Sequence, residues 1–172
     1  MKENKFEIKD LDSPIINHSI FIRGNVINAV SNLEGCMNIF LSYHFSRIES
    51  KANELNELVF ATKHLTFDGK RDIINSILKK HHAKFLADNK TFNKDLQKIA
   101  ENRNVFAHYQ TSHQLGSKLN FVLDNSIYFV QHQRSNKSLK FDIKELVDFV
   151  GLINKYIEIF CKLVEDMHTP SP

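Results

Sequence analysis

Residues 98–110 read KIAENRNVFAHYQ, and three of them carry side chains suited to phosphoryl chemistry. Arg103 brings a guanidinium that keeps its charge and forks onto phosphate oxygens. His108 brings an imidazole that exchanges protons near neutral pH. Asn104 both donates and accepts, so it can hold either group in place or contact a substrate. Cleaving RNA by transesterification needs these services. The 2′-hydroxyl must lose a proton, the crowded phosphate oxygens must be stabilised, and the leaving 5′-oxygen must gain a proton. The RNA supplies its own nucleophile, so this chemistry requires neither a metal, nor a cofactor, nor a catalytic serine.

The placement of Arg103 is unusual. Phe92, Leu96 and Ile99 follow one another at steps of four and three, and a further step of four lands on Arg103. A guanidinium buried there without a partner is costly. On a helix, Asn104 and His108 share a face, whereas Arg103 and His108 lie about 140° apart. A long arginine spans part of that gap. Two copies of the helix around a two-fold axis close it, each subunit meeting the Arg103, Asn104 and His108 of the other. In a plainer reading, Arg103 reaches Glu101 or Glu34, Asn104 caps the helix end and His108 binds a loop carbonyl. Spacing alone leaves both open.

The elements that must position these residues are mostly helical. Residues 1–14 form an irregular arm ending at Pro14. From about 17 to 47, Ile22, Val26, Val30, Leu33, Met37 and Leu41 share one helical face. Gly24 and Gly35 weaken that helix by about 1 kcal/mol each relative to Ala and mark a bend or a close helix contact. A second helix is expected over 51–65, with Leu55, Leu58, Val59, Thr62 and Leu65 inward. TFDG at 66–69 breaks the pattern, Asp68 and Gly69 turning the chain. A third helix covers 70–86, with Ile73, Ile74, Ile77 and Leu78 inward. The motif helix covers 91–108, capped by Thr91 or Asn89.

The period then changes to alternation rich in β-formers, with turn-like DN and RSNKS between. Strands are expected at about 119–123, 127–133 and 138–141, as an appendage to the helical domain. Phe121, Tyr128 and Phe129 pack that sheet onto the bundle or offer a base-stacking surface. The last helix opens at Asp142 with Glu145 three residues on, a capping-box pattern, and buries Leu146, Val150, Ile153, Ile157, Phe160 and Val164. The sequence therefore describes one mainly α domain over 15–168. It is a bundle of about five helices with a small antiparallel hairpin or three-stranded insertion at about 118–141, and residues 169–172 form a tail.

Composition agrees with a single globular domain. The 172 residues are 42% hydrophobic and 25% charged, with net charge +3. This mildly basic balance permits a polyanionic partner. Lys90, Lys94 and Lys98 are spaced by four on the motif helix, after Lys79, Lys80 and Lys84. They form either a solvated helix face or a track for an RNA backbone. Cys36 and Cys161 read as reduced core fillers. His81 and His82 point to different helix faces without a Cys/His cluster, so no metal site is expected. No stretch has the roughly 18 uninterrupted apolar residues of a membrane helix, and a cytoplasmic location is the default.

ENRNVFAHY, late on a helix in a helical domain, resembles the signature of the HEPN superfamily (higher eukaryotes and prokaryotes nucleotide-binding domains). That signature is an arginine, a polar residue that is often Asn, about three variable residues and a histidine. It falls here on Arg103, Asn104 and His108, and the order of helices over roughly 17–167 is similar. The resemblance implies an α-helical bundle, commonly a homodimer, with Arg/His motifs facing each other across the interface. It also implies a metal-independent endoribonuclease acting on single-stranded RNA, as in toxin–antitoxin and other defence systems. Its partners would be the RNA substrate and a cognate antitoxin or inhibitor protein. Other members have lost catalysis and bind a nucleotide, RNA or a partner protein. Glu101 and Tyr109 are candidates to support the motif. One branch, paired with small nucleotidyltransferases, places a tyrosine two residues after the histidine. Here Tyr109 follows at once and Gln110 takes the second place, which argues against that branch.

Overall fold

Pro14 is the first residue of the first helix, α1 (Pro14–Phe45). The arm expected to end at Pro14 therefore ends before it. Proline is well placed at the start of a helix, where its missing N–H has no intrahelical partner to lose. The computed structural model of the chain describes residues 14–111, 126–131 and 137–168. The arm at 1–13, the strand expected at 119–123 with Phe121, and the tail at 169–172 lie outside the described residues. The side chain of Tyr128 does too. Along α1, Val26, Val30, Leu33, Met37 and Leu41 are buried as the periodicity requires, joined by Phe40, and Ile22 is half-buried. A Cβ added at Gly24 or Gly35 would meet nothing within 4 Å, so neither marks a close helix contact.

The second helical stretch departs from its expected face. α2 (Glu49–Leu55) runs into a π-helical turn (Asn56–Phe60). A π turn takes an extra residue and rotates the downstream side chains around the axis. Leu58 and Val59, expected inward, are 68% and 45% exposed, and Phe60 at 5% makes the core contact instead. Leu55, Thr62 and Leu65 are half-buried.

TFDG is a helix start, not a break. Thr66 has extended backbone angles and its Oγ1 accepts from the Gly69 amide at 3.2 Å, capping α3 (Phe67–His81). Asp68 and Gly69 thus lie in its first turn. The single helix expected to reach residue 86 stops at His82, whose φ −135° and ψ 43° leave helical geometry. A separate short helix, α4 (Ala83–Asp88), then sends Phe85 edge-on against Phe92, ring centroids 5.5 Å apart. Of the lysines expected on this surface, Lys79, Lys80 and Lys84 are all exposed.

The motif helix, α5 (Phe92–His108), buries Phe92, Leu96, Ile99, Ala100, Val105 and Phe106. Neither expected cap operates through its side chain. Thr91 makes no capping bond, and the Asn89 amide donates to the Phe85 carbonyl. A sheet comes next, of strands β1 (Gln110–Thr111), β2 (Ser126–Gln131) and β3 (Lys137–Asp142). They pair antiparallel in the order β1-β2-β3, with Phe129 opposite Leu139 and Gln110 opposite Val130. The sheet is less of an appendage than its position suggests. Phe129 is fully buried and its ring lies 4.8 Å from that of Phe106 and 5.8 Å from that of Phe141.

The closing helix, α6 (Ile143–His168), begins with the expected capping box. The Glu145 amide donates to Asp142 Oδ1 at 2.7 Å and the Asp142 amide donates to Glu145 Oε2 at 3.0 Å. Its buried seam is Leu146, Phe149, Ile153, Tyr156, Phe160, Leu163 and Met167, while the expected Val150, Ile157 and Val164 flank it half-buried. The seam is rotated because α6 packs on both α1 and α5. Phe40 and Phe92 each meet Phe160, and Phe106 stacks on Phe149.

These contacts fix the directions of the bundle. Glu34 meets Lys70 and His44 meets His81, so α3 runs parallel to α1. Phe40 meets Phe160 and Arg47 binds the Met167 carbonyl, so α6 is parallel as well. α5 alone among the long helices runs back, with Arg23 of α1 at its end. Cys36 packs half-buried against the core, but Cys161 is exposed and is no core filler. No described helix is long and apolar enough to cross a membrane.

Candidate functional site

α1 contains a single Arg and a single Glu and no Lys or Asp, and both charged residues make interhelical bonds that shape the motif's surroundings. Glu34 accepts from Lys70 Nζ at 2.5 Å, and Lys70 is only 2% exposed. Arg23 donates from Nε to the Phe106 carbonyl at 2.9 Å and from Nη2 to the Ala107 carbonyl at 3.3 Å. These are orphan carbonyls at the end of α5, next to His108, and a cation suits them. Motif spacing does not point to Arg23. Its one signal in the sequence is charge scarcity, a lone cation on a helix otherwise nearly uncharged.

Both acids expected as partners of Arg103 are engaged elsewhere. Glu34 holds Lys70, and Glu101 accepts from Gln97 Nε2 at 2.9 Å. Arg103 is exposed, not buried, and donates from Nη1 to Asn104 Oδ1 at 3.2 Å. The apolar stripe passes it by, continuing at Val105 and Phe106, while its own position faces an opening between α1 and α3. Val30, Thr66, Phe67, Asp68, Ala100, Arg103 and Asn104 line a pocket there of about 270 Å³. His108, the last residue of α5, is exposed and makes no hydrogen bond among the described residues. It does not line the Arg103 pocket. Tyr109 packs half-buried against the core behind it. Lys90, Lys94 and Lys98 are exposed along the same helix.

Further along α5, the Tyr156 hydroxyl donates to Asp95 Oδ2 at 2.7 Å. Burial, and then the Asp95 carboxylate, push that phenol well above its ordinary range, so it is a structural donor. At the far end of the bundle His44, Arg47, His81, His82, Asp166 and Met167 line a second cavity of about 390 Å³. Three parallel helices end there, and each carries basic residues in its last turn, where a cation suits the helix dipole. Burial lowers the His44 pKa, and His81, His82, Arg47 and Lys80 lower it further. Among the described residues no group of three His, Cys, Asp or Glu side chains is arranged to hold a metal ion.

Comparison with protein-family models, curated proteins and solved structures finds no match to this chain. Its function must be read from the site itself.

Proposed function

We propose that the chain is a metal-independent endoribonuclease of the HEPN type, cleaving single-stranded RNA at a site completed by a second copy of itself. The observation that carries this reading is the state of Arg103. Its guanidinium is exposed at a pocket, held by Asn104 and bound to no carboxylate among the described residues, as suits a phosphate-binding fork. His108 of one subunit takes the proton from the RNA 2′-hydroxyl as its oxygen bonds to phosphorus. The symmetry-related imidazole gives a proton to the 5′-oxygen as the P–O bond breaks. Arg103 neutralises charge on the remaining phosphate oxygens, and the products are a 2′,3′-cyclic phosphate and a 5′-hydroxyl. Lys90, Lys94 and Lys98 supply salt-sensitive contacts to the backbone. A cytoplasmic toxin or defence effector, restrained by an antitoxin protein, is the setting this activity fits.

Labelled RNA incubated with the protein in EDTA tests the reaction. Wild type should release cyclic or 3′-phosphate ends, while Arg103→Ala and His108→Ala should each lose at least about a hundredfold in rate. Full activity in either variant removes the mechanism. One observation favours a second reading: the Arg103 pocket does not include His108. A non-catalytic module would use that pocket to bind a nucleotide, RNA or a partner, and would show Arg103-dependent binding without turnover.

A further inference from the structure

The pocket at Arg103 contains groups for which phosphate binding has no use. Besides Arg103 and Asn104 it is lined by Thr66, Phe67 and Asp68 at the start of α3, with Val30 and Ala100 as aliphatic surface. The two charged groups make opposite demands. A guanidinium only donates and seeks an anion, and a carboxylate only accepts and seeks N–H or O–H donors. They do not satisfy each other. Arg71 Nη1 meets Asp68 Oδ1 at 2.9 Å, and Arg103 is in none of the ion pairs among the described residues. The Asp68 side chain remains 60% exposed. Thr66 Oγ1 accepts from the Gly69 amide, which leaves its hydroxyl proton free to donate. The Phe67 ring is half-buried, with part of its surface open.

A ligand that meets all these demands is anionic at one end, flat and apolar in the middle, and rich in N–H donors at the other. A nucleotide has this character. At about 270 Å³ the pocket lies below the roughly 300–1,000 Å³ typical of drug-sized ligands, and suits one base at a time. The bases differ in what they offer a carboxylate. Guanine presents two adjacent donors, its ring N–H and its exocyclic amine. Adenine and cytosine present one amine beside an acceptor, and uracil presents one N–H between two carbonyls that a carboxylate repels. We infer that Thr66, Phe67 and Asp68 form a base-recognition pocket that selects guanine beside the phosphate held by Arg103. This builds on Arg103 as the phosphate-binding group and names the substrate preference of that same site.

Calorimetric titration of the full chain with 3′-GMP, 3′-AMP, 3′-CMP and 3′-UMP tests it, alongside mapping of cleavage positions in a mixed-sequence RNA. Wild type should bind 3′-GMP about tenfold more tightly than 3′-UMP. Asp68→Asn turns half of the acceptor edge into a donor and should shrink that ratio to about threefold or less. Arg103→Ala should weaken all four nucleotides alike. Asp68→Ser, which also removes the carboxylate, should repeat the Asp68→Asn result, and circular dichroism checks that both variants keep their helices. Equal affinity for the four nucleotides, no binding of any, or a guanine preference that survives both Asp68 variants overturns the inference. The two proposals fail separately. RNA cleavage without an Asp68-dependent base preference leaves the nuclease standing and removes the guanine pocket. Asp68-dependent guanine binding without RNA cleavage does the reverse.

Discussion

Glu34 and Lys70 show how one residue pair governs what is left for the site. Lys70 is almost wholly enclosed and its charge is tolerable only because Glu34 meets it. That pairing engages one of the acids expected to hold Arg103. Removing one partner leaves the other charge stranded, whereas removing both does not. Glu34→Ala should therefore cost about 3 kcal/mol in urea denaturation, and the double variant Glu34→Ala with Lys70→Met should recover part of that loss. A double variant less stable than Glu34→Ala alone would show that a stranded Lys70 charge is not what the single substitution costs. Arg103, Asn104 and His108 stood out in the sequence through the resemblance of their motif, since spacing alone left a structural reading equally open. Whether Arg103 was paired was not legible, since that depended on which partners the other helices give to Glu34 and Asp68.

At the scale of elements, the π turn decides the surface of the second helical stretch. Apolar spacing assigns Leu58 and Val59 to the core, but one inserted residue hands that role to Phe60. Urea denaturation should find Leu58→Gln within about 0.5 kcal/mol of wild type and Phe60→Ala destabilised by about 3 kcal/mol. The reverse order would restore an uninterrupted α-helix. The start of α3 carries a related lesson. TFDG contains the residues of a turn, and the same residues cap a helix when the hydroxyl of Thr66 meets the Gly69 amide. That difference brings Asp68 and Phe67 beside Arg103 instead of into a connecting loop.

For the whole molecule, the parallel course of α1 and α6 brings both of their first turns to the end where α5 finishes at His108. Ile20 and Phe21 on α1 are 51% and 67% exposed, and Ile143 and Val147 on α6 are 47% and 64% exposed. The dimer we propose covers these side chains. Sedimentation velocity should find wild type dimeric and the double variant Phe21→Arg, Val147→Arg monomeric, with RNA cleavage lost and helical content kept. A monomeric wild type that still cleaves RNA would exclude a composite site.

The sequence by itself determined the α-helical bundle, the positions of its longest helices and the capping box at Asp142. Each of these is written in local spacing, as a 3.6-residue apolar period or a side chain within a turn of its partner. Only the tertiary structure decided that Arg103 is exposed, that Arg23 closes the end of its helix, and that Thr66, Phe67 and Asp68 share its pocket. Those facts join residues 35 or more positions apart. Local periodicity cannot hold them, because they depend on how the helices are rotated against one another when the core closes.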